Sequence, residues 1–156
     1  MNNVYEAEDL AFEGEGFINE LTKEETEKKV WDILNSEFVF ELIEEYSFVN
    51  EVDADFTITL NDKRHKYPKA DETGVVFAEN SRSNIIVLHE LAHSLTMHSY
   101  CESTTPEGVK FTPHGPHFAF VYLKLVEEFL EEEYLNLLAA FISTDVDSTP
   151  EEIKTK

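Results

Sequence analysis

His89-Glu90-Leu91-Ala92-His93 is the stretch around which this chain is organised. On an α-helix, residues four apart stand one turn apart on the same face, so both imidazoles can address one metal ion. Glu90 lies beside them, where a carboxylate can take a proton from water activated by that metal. Neutral nitrogen donors suit a borderline-soft cation, which makes Zn2+ the expected cofactor. Two histidines at this spacing constrain little by themselves, and the glutamate fixed between them makes the pattern specific. The competing reading is a solvated or otherwise satisfied His/Glu/His cluster on an ordinary helix.

Working outward, Ile85-Ile86-Val87-Leu88 precedes the motif, and Leu91, Ala92 and Leu95 carry the apolar positions through it. With Ser81 or Ser83 as N-cap, the pattern predicts a helix from about residue 84 to 98, largely buried. Imidazoles and a carboxylate on a buried helix need partners, because an unpaired buried polar group is costly. A metal ion uses one lone pair of each ring and leaves the other ring nitrogen for a supporting hydrogen bond.

Upstream, Thr22 and Glu25 make a capping box for a helix over residues 23–34, with Val30, Ile33 and Leu34 as its apolar stripe. Phe38, Val39, Leu42, Ile43 and Tyr46 fall at one-face intervals of a second helix. Near Asp55 the period changes. Phe56, Ile58 and Leu60 alternate with Thr57, Thr59 and Asn61, the mark of a half-buried strand. Asn61-Asp62-Lys63 predicts a turn into a short strand around His65–Tyr67, and Gly74–Ala78 a further strand leading to the motif helix. Residues 101–113 are loop-like. From Pro116 a broad apolar face returns (Phe118, Ala119, Tyr122, Leu125, Val126, Phe129), and a last helical piece covers residues 134–142. No repeat or linker divides the chain. Residues 1–145 are expected to form one α+β domain, with a small, mostly antiparallel sheet packed on the motif helix and further helices. Residues 146–156 read as a frayed polar tail.

At 156 residues the chain has room for a core, and 42% apolar residues, including 12 Phe and 6 Tyr, exclude an acidic disordered segment. No run is long enough to span a bilayer, and Glu6, Glu8 and Asp9 give the start none of the positive charge of a secretory leader. Cys101 is the single cysteine and fits a reducing compartment, so a cytoplasmic location without a membrane partner is expected. The formal charge of −21, from 33 acids and 12 bases, repels a phosphate backbone. No nucleic-acid partner is therefore expected, whereas a basic protein partner is compatible with this surface. The one local basic cluster, Lys63, Arg64, Lys66 and Lys69, is opposed by Asp62, Asp71 and Glu72.

A zinc hydrolase needs a third protein ligand and an open position for water. His98, Cys101, Glu102, His114 and His117 are within reach along the chain. His98 is turned away from the metal-facing side, and Cys101 would make a closed structural site. His114 is the better candidate, because Gly115 and Pro116 fit a rigid turn into the next helix. His117, about one turn in, is then available for a supporting or substrate-facing role.

With those residues in place, His89-Glu90-Leu91-Ala92-His93 followed by His114-Gly115-Pro116-His117-Phe118 resembles the two-part signature of SprT-like zinc metalloproteases. It is closer still to a metallohydrolase family of actinobacteria and their phages, whose substrate is not established. That resemblance includes Val4-Tyr5-Glu6-Ala7-Glu8-Asp9, Val87-Leu88, the stretch from Pro113 through Tyr122-Leu123, and Ala139-Ala140-Phe141. It implies a zincin-like domain in which His89, His93 and His114 hold the zinc and Glu90 is the general base. The chain departs from the SprT-like pattern at His117, where those proteins usually carry a glutamate. Its scarcity of basic residues also separates it from SprT-like proteases that act on DNA-bound proteins.

The expected reaction is amide hydrolysis in a peptide or protein substrate, with Glu90 taking the proton of water and passing it to the leaving amine. An extended substrate would pair with an edge strand beside the motif helix, for which Gly74–Phe77 is the candidate. Tyr67, Tyr100, His98 and His117 are candidates to stabilise the oxyanion or face the substrate. Two other classes use the same residues. One is a non-catalytic acidic interaction protein with a structural zinc, blocking a basic partner or imitating DNA. The other is a zinc amidase with a closed pocket for a small or cell-wall substrate.

Overall fold

The Thr22–Glu25 capping box forms as predicted. Thr22 Oγ1 accepts the Glu25 N–H at 3.1 Å, and the Thr22 N–H donates to Glu25 Oε1 at 2.9 Å. In the computed structural model, which describes residues 3–12, 21–52, 54–60, 68–78, 82–100 and 114–154, this box opens helix α2 (Lys23–Leu34). No element is predicted from the sequence for residues 3–12, yet they form α1 (Asn3–Phe12), which buries Val4, Ala7, Glu8 and Phe12. Ser36 caps α3 (Glu37–Glu45) by accepting the Val39 N–H at 3.2 Å, and Tyr46 ends that helix rather than continuing it.

Among the described residues three short strands follow: β1 (Thr57–Leu60), β2 (Lys69–Asp71) and β3 (Gly74–Phe77). The fold class is α+β, with two corrections to the sheet. It is mixed rather than mostly antiparallel, and β3 lies in the centre of the order β1-β3-β2 rather than at an edge. Connection length explains the first. β2 and β3 are joined by a tight turn and must run antiparallel, whereas residues 61–73 separate β1 from β3 and give room for a parallel crossover. The second has its reason in Val75-Val76-Phe77, an apolar run that central and edge strands share. Asp71 holds the turn: its Oδ1 accepts the Thr73 hydroxyl at 2.6 Å, the Thr73 N–H at 2.8 Å and the Gly74 N–H at 3.2 Å. Gly74 pairs with Thr57, and a Cβ there would stand 2.4 Å from Thr57 Oγ1, so the register requires glycine. The predicted strand around His65–Tyr67 and the basic residues Lys63, Arg64 and Lys66 lie outside the described residues.

Of the two candidate caps for the motif helix, Ser83 is seen in that role, accepting the Ile86 N–H at 3.2 Å. Helix α4 (Asn84–Tyr100) then runs through the interior, with Ile85, Ile86, Val87, Leu88, Leu91, Ala92 and Leu95 all buried. A helix apolar on nearly every side belongs inside a domain. β2, β3 and α2 pack against it, as does α5 (Pro116–Phe129). Helix α6 (Glu131–Ser143) packs on α5 and carries α1, which brings the start of the chain to the same layer.

After Ser143 the chain packs back instead of fraying. Asp145 takes the left-handed conformation (φ 59°). The Val146 N–H donates to Phe141 O at 2.9 Å and the Asp145 N–H to Ile142 O at 3.3 Å, the hydrogen bonds of a Schellman cap. Val146 and Ile153 rest on the core, the latter from the one-turn helix α7 (Glu151–Lys154). Among the described residues no helix is long and apolar enough to cross a membrane.

Candidate metal centre

The four-residue spacing in α4 puts His89 and His93 one turn apart on one face, and the entry to α5 brings His114 over both. Gly115 is the N-cap of α5 and Pro116 its first residue, which fixes the approach of the residue before them. His93 Nε2 stands 3.0 Å from His114 Nε2, and His114 Nε2 stands 3.4 Å from His89 Nε2. The three donor atoms all lie within 4.8 Å of one another, and together they can hold a metal ion. His89 and His93 are buried and His114 is partly so. Phe118 forms the floor under all three rings, stacked on His93 at 4.3 Å and edge-on to His114 at 4.9 Å and His89 at 5.0 Å.

His89 is held from behind. Its Nδ1 lies 2.6 Å from Glu8 Oε2, and the Tyr122 hydroxyl donates to the same oxygen at 2.6 Å. With Nδ1 committed to Glu8, Nε2 is the His89 nitrogen that faces the other two histidines and can serve a metal once it gives up its proton. A carboxylate behind a ligating imidazole fixes its tautomer and raises its basicity. Three helices meet in this contact: α1 supplies the acid, α4 the imidazole and α5 the phenol. Glu8 is 1% exposed, and its Oε1 has no hydrogen-bond partner among the described residues.

The electrostatics fit a cation. Burial, and then the charges of His89 and His114, push His93 down to about 2. Burial and the charge of His89 bring His114 to about 4. Both are therefore neutral at neutral pH, the form a metal requires. Burial alone would lower His89 as well, but the charge and hydrogen bond of Glu8, with the charge of Glu90, raise it. Lone pairs that face one another at 3.0 and 3.4 Å repel unless something positive lies between them. A proton on His114 Nε2, the atom common to both contacts, or a cation held between the three rings relieves that repulsion.

Glu90 adjoins this group, with Oε2 3.9 Å from His89 Nε2. Burial pushes its carboxyl up to about 6, against the pull of the His89 charge and with the help of Glu8. A carboxylate poised near neutrality can accept a proton and release it again. Tyr5 closes the solvent side. Its ring lies parallel to His89 at 5.9 Å and edge-on to His114 at 5.1 Å, and the residue is 52% exposed. Burial, then the charges of Glu90 and Glu8, raise its phenol above the ordinary range.

His89, Glu90, His93 and His114 thus come together. His117 is not one of the three clustered donors; its ring stands edge-on to Phe48 at 5.0 Å. Tyr67, Cys101 and Glu102 lie outside the described residues, as do the side chains of His98 and Tyr100 on the last turn of α4. Glu8, Tyr5, Phe118 and Tyr122 are the contributors that sequence reasoning misses. For Glu8 a signal exists, since a carboxylate on the apolar stripe of Val4, Ala7 and Phe12 must have a buried partner. β2, an edge strand lying against α4, occupies the position expected for β3.

No family model, curated protein or solved structure matches this chain.

Proposed function

We propose that this chain is a zinc-dependent hydrolase of amide bonds, a metallopeptidase in its main reading. The observation that carries the proposal is the convergence of His89, His93 and His114 with the Glu90 carboxylate beside them. Nitrogens about 2.0–2.1 Å from a tetrahedral zinc stand roughly 3.3 Å from one another. The spacings of 3.0 and 3.4 Å suit that arrangement. All-nitrogen ligation backed by a carboxylate also favours zinc over magnesium or calcium, which take oxygen donors. The resemblance to SprT-like metalloproteases supports the same assignment.

When bound, zinc would supply Lewis-acid polarisation of a carbonyl and of water. The residues of the chain do the rest. Glu8 keeps the His89 tautomer fixed through Nδ1. Phe118 and the surrounding core exclude bulk water from the buried side, which strengthens charge interactions there. Glu90 takes the proton of the attacking water and returns it to the departing amine nitrogen. An extended substrate has the β2 edge beside α4 to pair with, in place of β3. The charge of −21 argues for a substrate without a phosphate backbone.

The test is a peptide-library digest read by mass spectrometry, wild type against Glu90→Gln. Cleavage is expected in the wild type and a fall of about 100-fold or more in the variant. Equal cleavage in both samples would remove Glu90 from the chemistry.

A further inference from the structure

We propose that Tyr5 is a further catalytic residue: its phenol donates a hydrogen bond to the carbonyl oxygen of a substrate bound at the three-histidine site. The inference rests on the hydrolase reading and names the donor that reading lacks. Tyr5 and Glu8 stand one turn apart on α1, so they share a face of that helix. Glu8 is the anchor, tied at 2.6 Å both to His89 and to Tyr122. Those contacts fix α1 against the site and leave little freedom in where Tyr5 stands.

The placement of Tyr5 is that of a group facing an incoming molecule. Its ring touches two of the three histidines, parallel to His89 and edge-on to His114, while the histidines lie deeper. At 52% exposure Tyr5 is not a core residue, so its ring is open to an incoming molecule while it stays against the histidines. A tyrosine keeps its proton at neutral pH and so serves as a donor.

The step balances without an added reactant. The oxygen of water forms a bond to the carbonyl carbon as its proton passes to Glu90, and the C=O π pair moves onto the carbonyl oxygen. The Tyr5 O–H hydrogen-bonds that oxygen as its charge develops. The C=O bond then re-forms, the C–N bond breaks, and the proton held by Glu90 goes to the nitrogen. A fixed donor at the developing oxyanion contributes to the rate because its dipole is already oriented.

The experiment uses the full chain loaded with Co2+ and titrated with acetohydroxamate, whose metal-binding oxygens carry the charge that the donor would meet. The readout is the visible spectrum of cobalt. Tyr5→Phe keeps the ring and removes only the hydroxyl. The variant is expected to bind cobalt as wild type does and acetohydroxamate about tenfold or more weakly, as for a lost hydrogen bond to a charged group. Equal acetohydroxamate affinity in the two proteins would overturn the role of Tyr5 and leave the metal site standing. Failure of the wild type to take up cobalt would overturn the three-histidine reading, and Tyr5 with it. On any peptide the wild type cleaves, Tyr5→Phe should lower kcat and leave KM little changed; a rise in KM alone would contradict the proposal.

Discussion

Glu8 in the first helix holds His89 in the fourth through a 2.6 Å contact between its Oε2 and the imidazole Nδ1, across 81 residues of sequence. The first helix is thereby tied to the three-histidine cluster. The same oxygen takes the Tyr122 hydroxyl, so one carboxylate aligns His89 and locks α1, α4 and α5 together.

Glu8→Gln tests that relationship. The amide keeps the size and an accepting oxygen but loses the charge that raises the basicity of His89. Metal affinity is expected to fall about 10- to 100-fold, read by competition with a chromophoric chelator. Glu8→Leu goes further and leaves two buried donors without an acceptor, costing about 1–3 kcal/mol for each, read by urea unfolding. Unchanged affinity in Glu8→Gln would mean that the contact only joins the helices.

Glu90→Gln should behave in the opposite way. Glu90 adjoins the cluster at 3.9 Å but is not one of its three donors. The variant is expected to bind metal within about twofold of wild type while losing hydrolysis. Loss of metal together with activity would make Glu90 a ligand.

Acid is the weak side of the metal-free protein. Unfolded, His93 and His114 take protons near 6.5; folded, they resist down to about 2 and about 4. Between 6.5 and 4 the unfolded chain binds more protons than the native one, so unfolding becomes easier as pH falls. Glu90 opposes this in a narrower window, because its folded carboxyl takes a proton at about 6 against 4.5 unfolded and favours the native state as pH falls through that range. His89, raised in the fold, adds stability that is fully present below its unfolded 6.5 and lost as pH rises through its folded value, so it opposes the drop only at the upper end of the range. The urea midpoint of metal-free wild type should therefore drop between pH 7 and pH 5, and His114→Asn should flatten that drop. An equally steep fall in the variant would place the acid sensitivity elsewhere.

Asp145 offers a test of the helix end. Its φ of 59° is one that glycine adopts freely and an aspartate adopts at a cost. Asp145→Gly is expected to stabilise the fold by about 0.5–1 kcal/mol, read as a rise in the midpoint of urea unfolding. A lower midpoint would mean that the aspartate side chain contributes more than its backbone costs.

The three clustered histidines were legible because they lie in short, regular pieces of chain. His89 and His93 follow from helix periodicity, and His114 from the Gly115-Pro116 turn. The support behind them was hidden by distance: nothing local ties Glu8 to a histidine 81 residues away, and only its place on an apolar stripe marks it. Tyr5 was invisible for the same reason. The helices α2, α3 and α5 announced themselves through the Thr22 box, one-face spacing and Pro116. Strand order did not, because Val75-Val76-Phe77 reads alike in the middle of a sheet and at its edge. The last residues misled by their polarity, since Val146 and Ile153 are enough to bring them back onto the core.

The central claim is that His89, His93 and His114 hold one zinc ion. Elemental analysis of protein purified without an affinity tag, wild type beside His114→Ala, tests it most directly. The account predicts about one zinc per wild-type chain and a sharp loss in the variant. Full occupancy in His114→Ala, with the loss appearing in Cys101→Ala or His117→Ala instead, would contradict it.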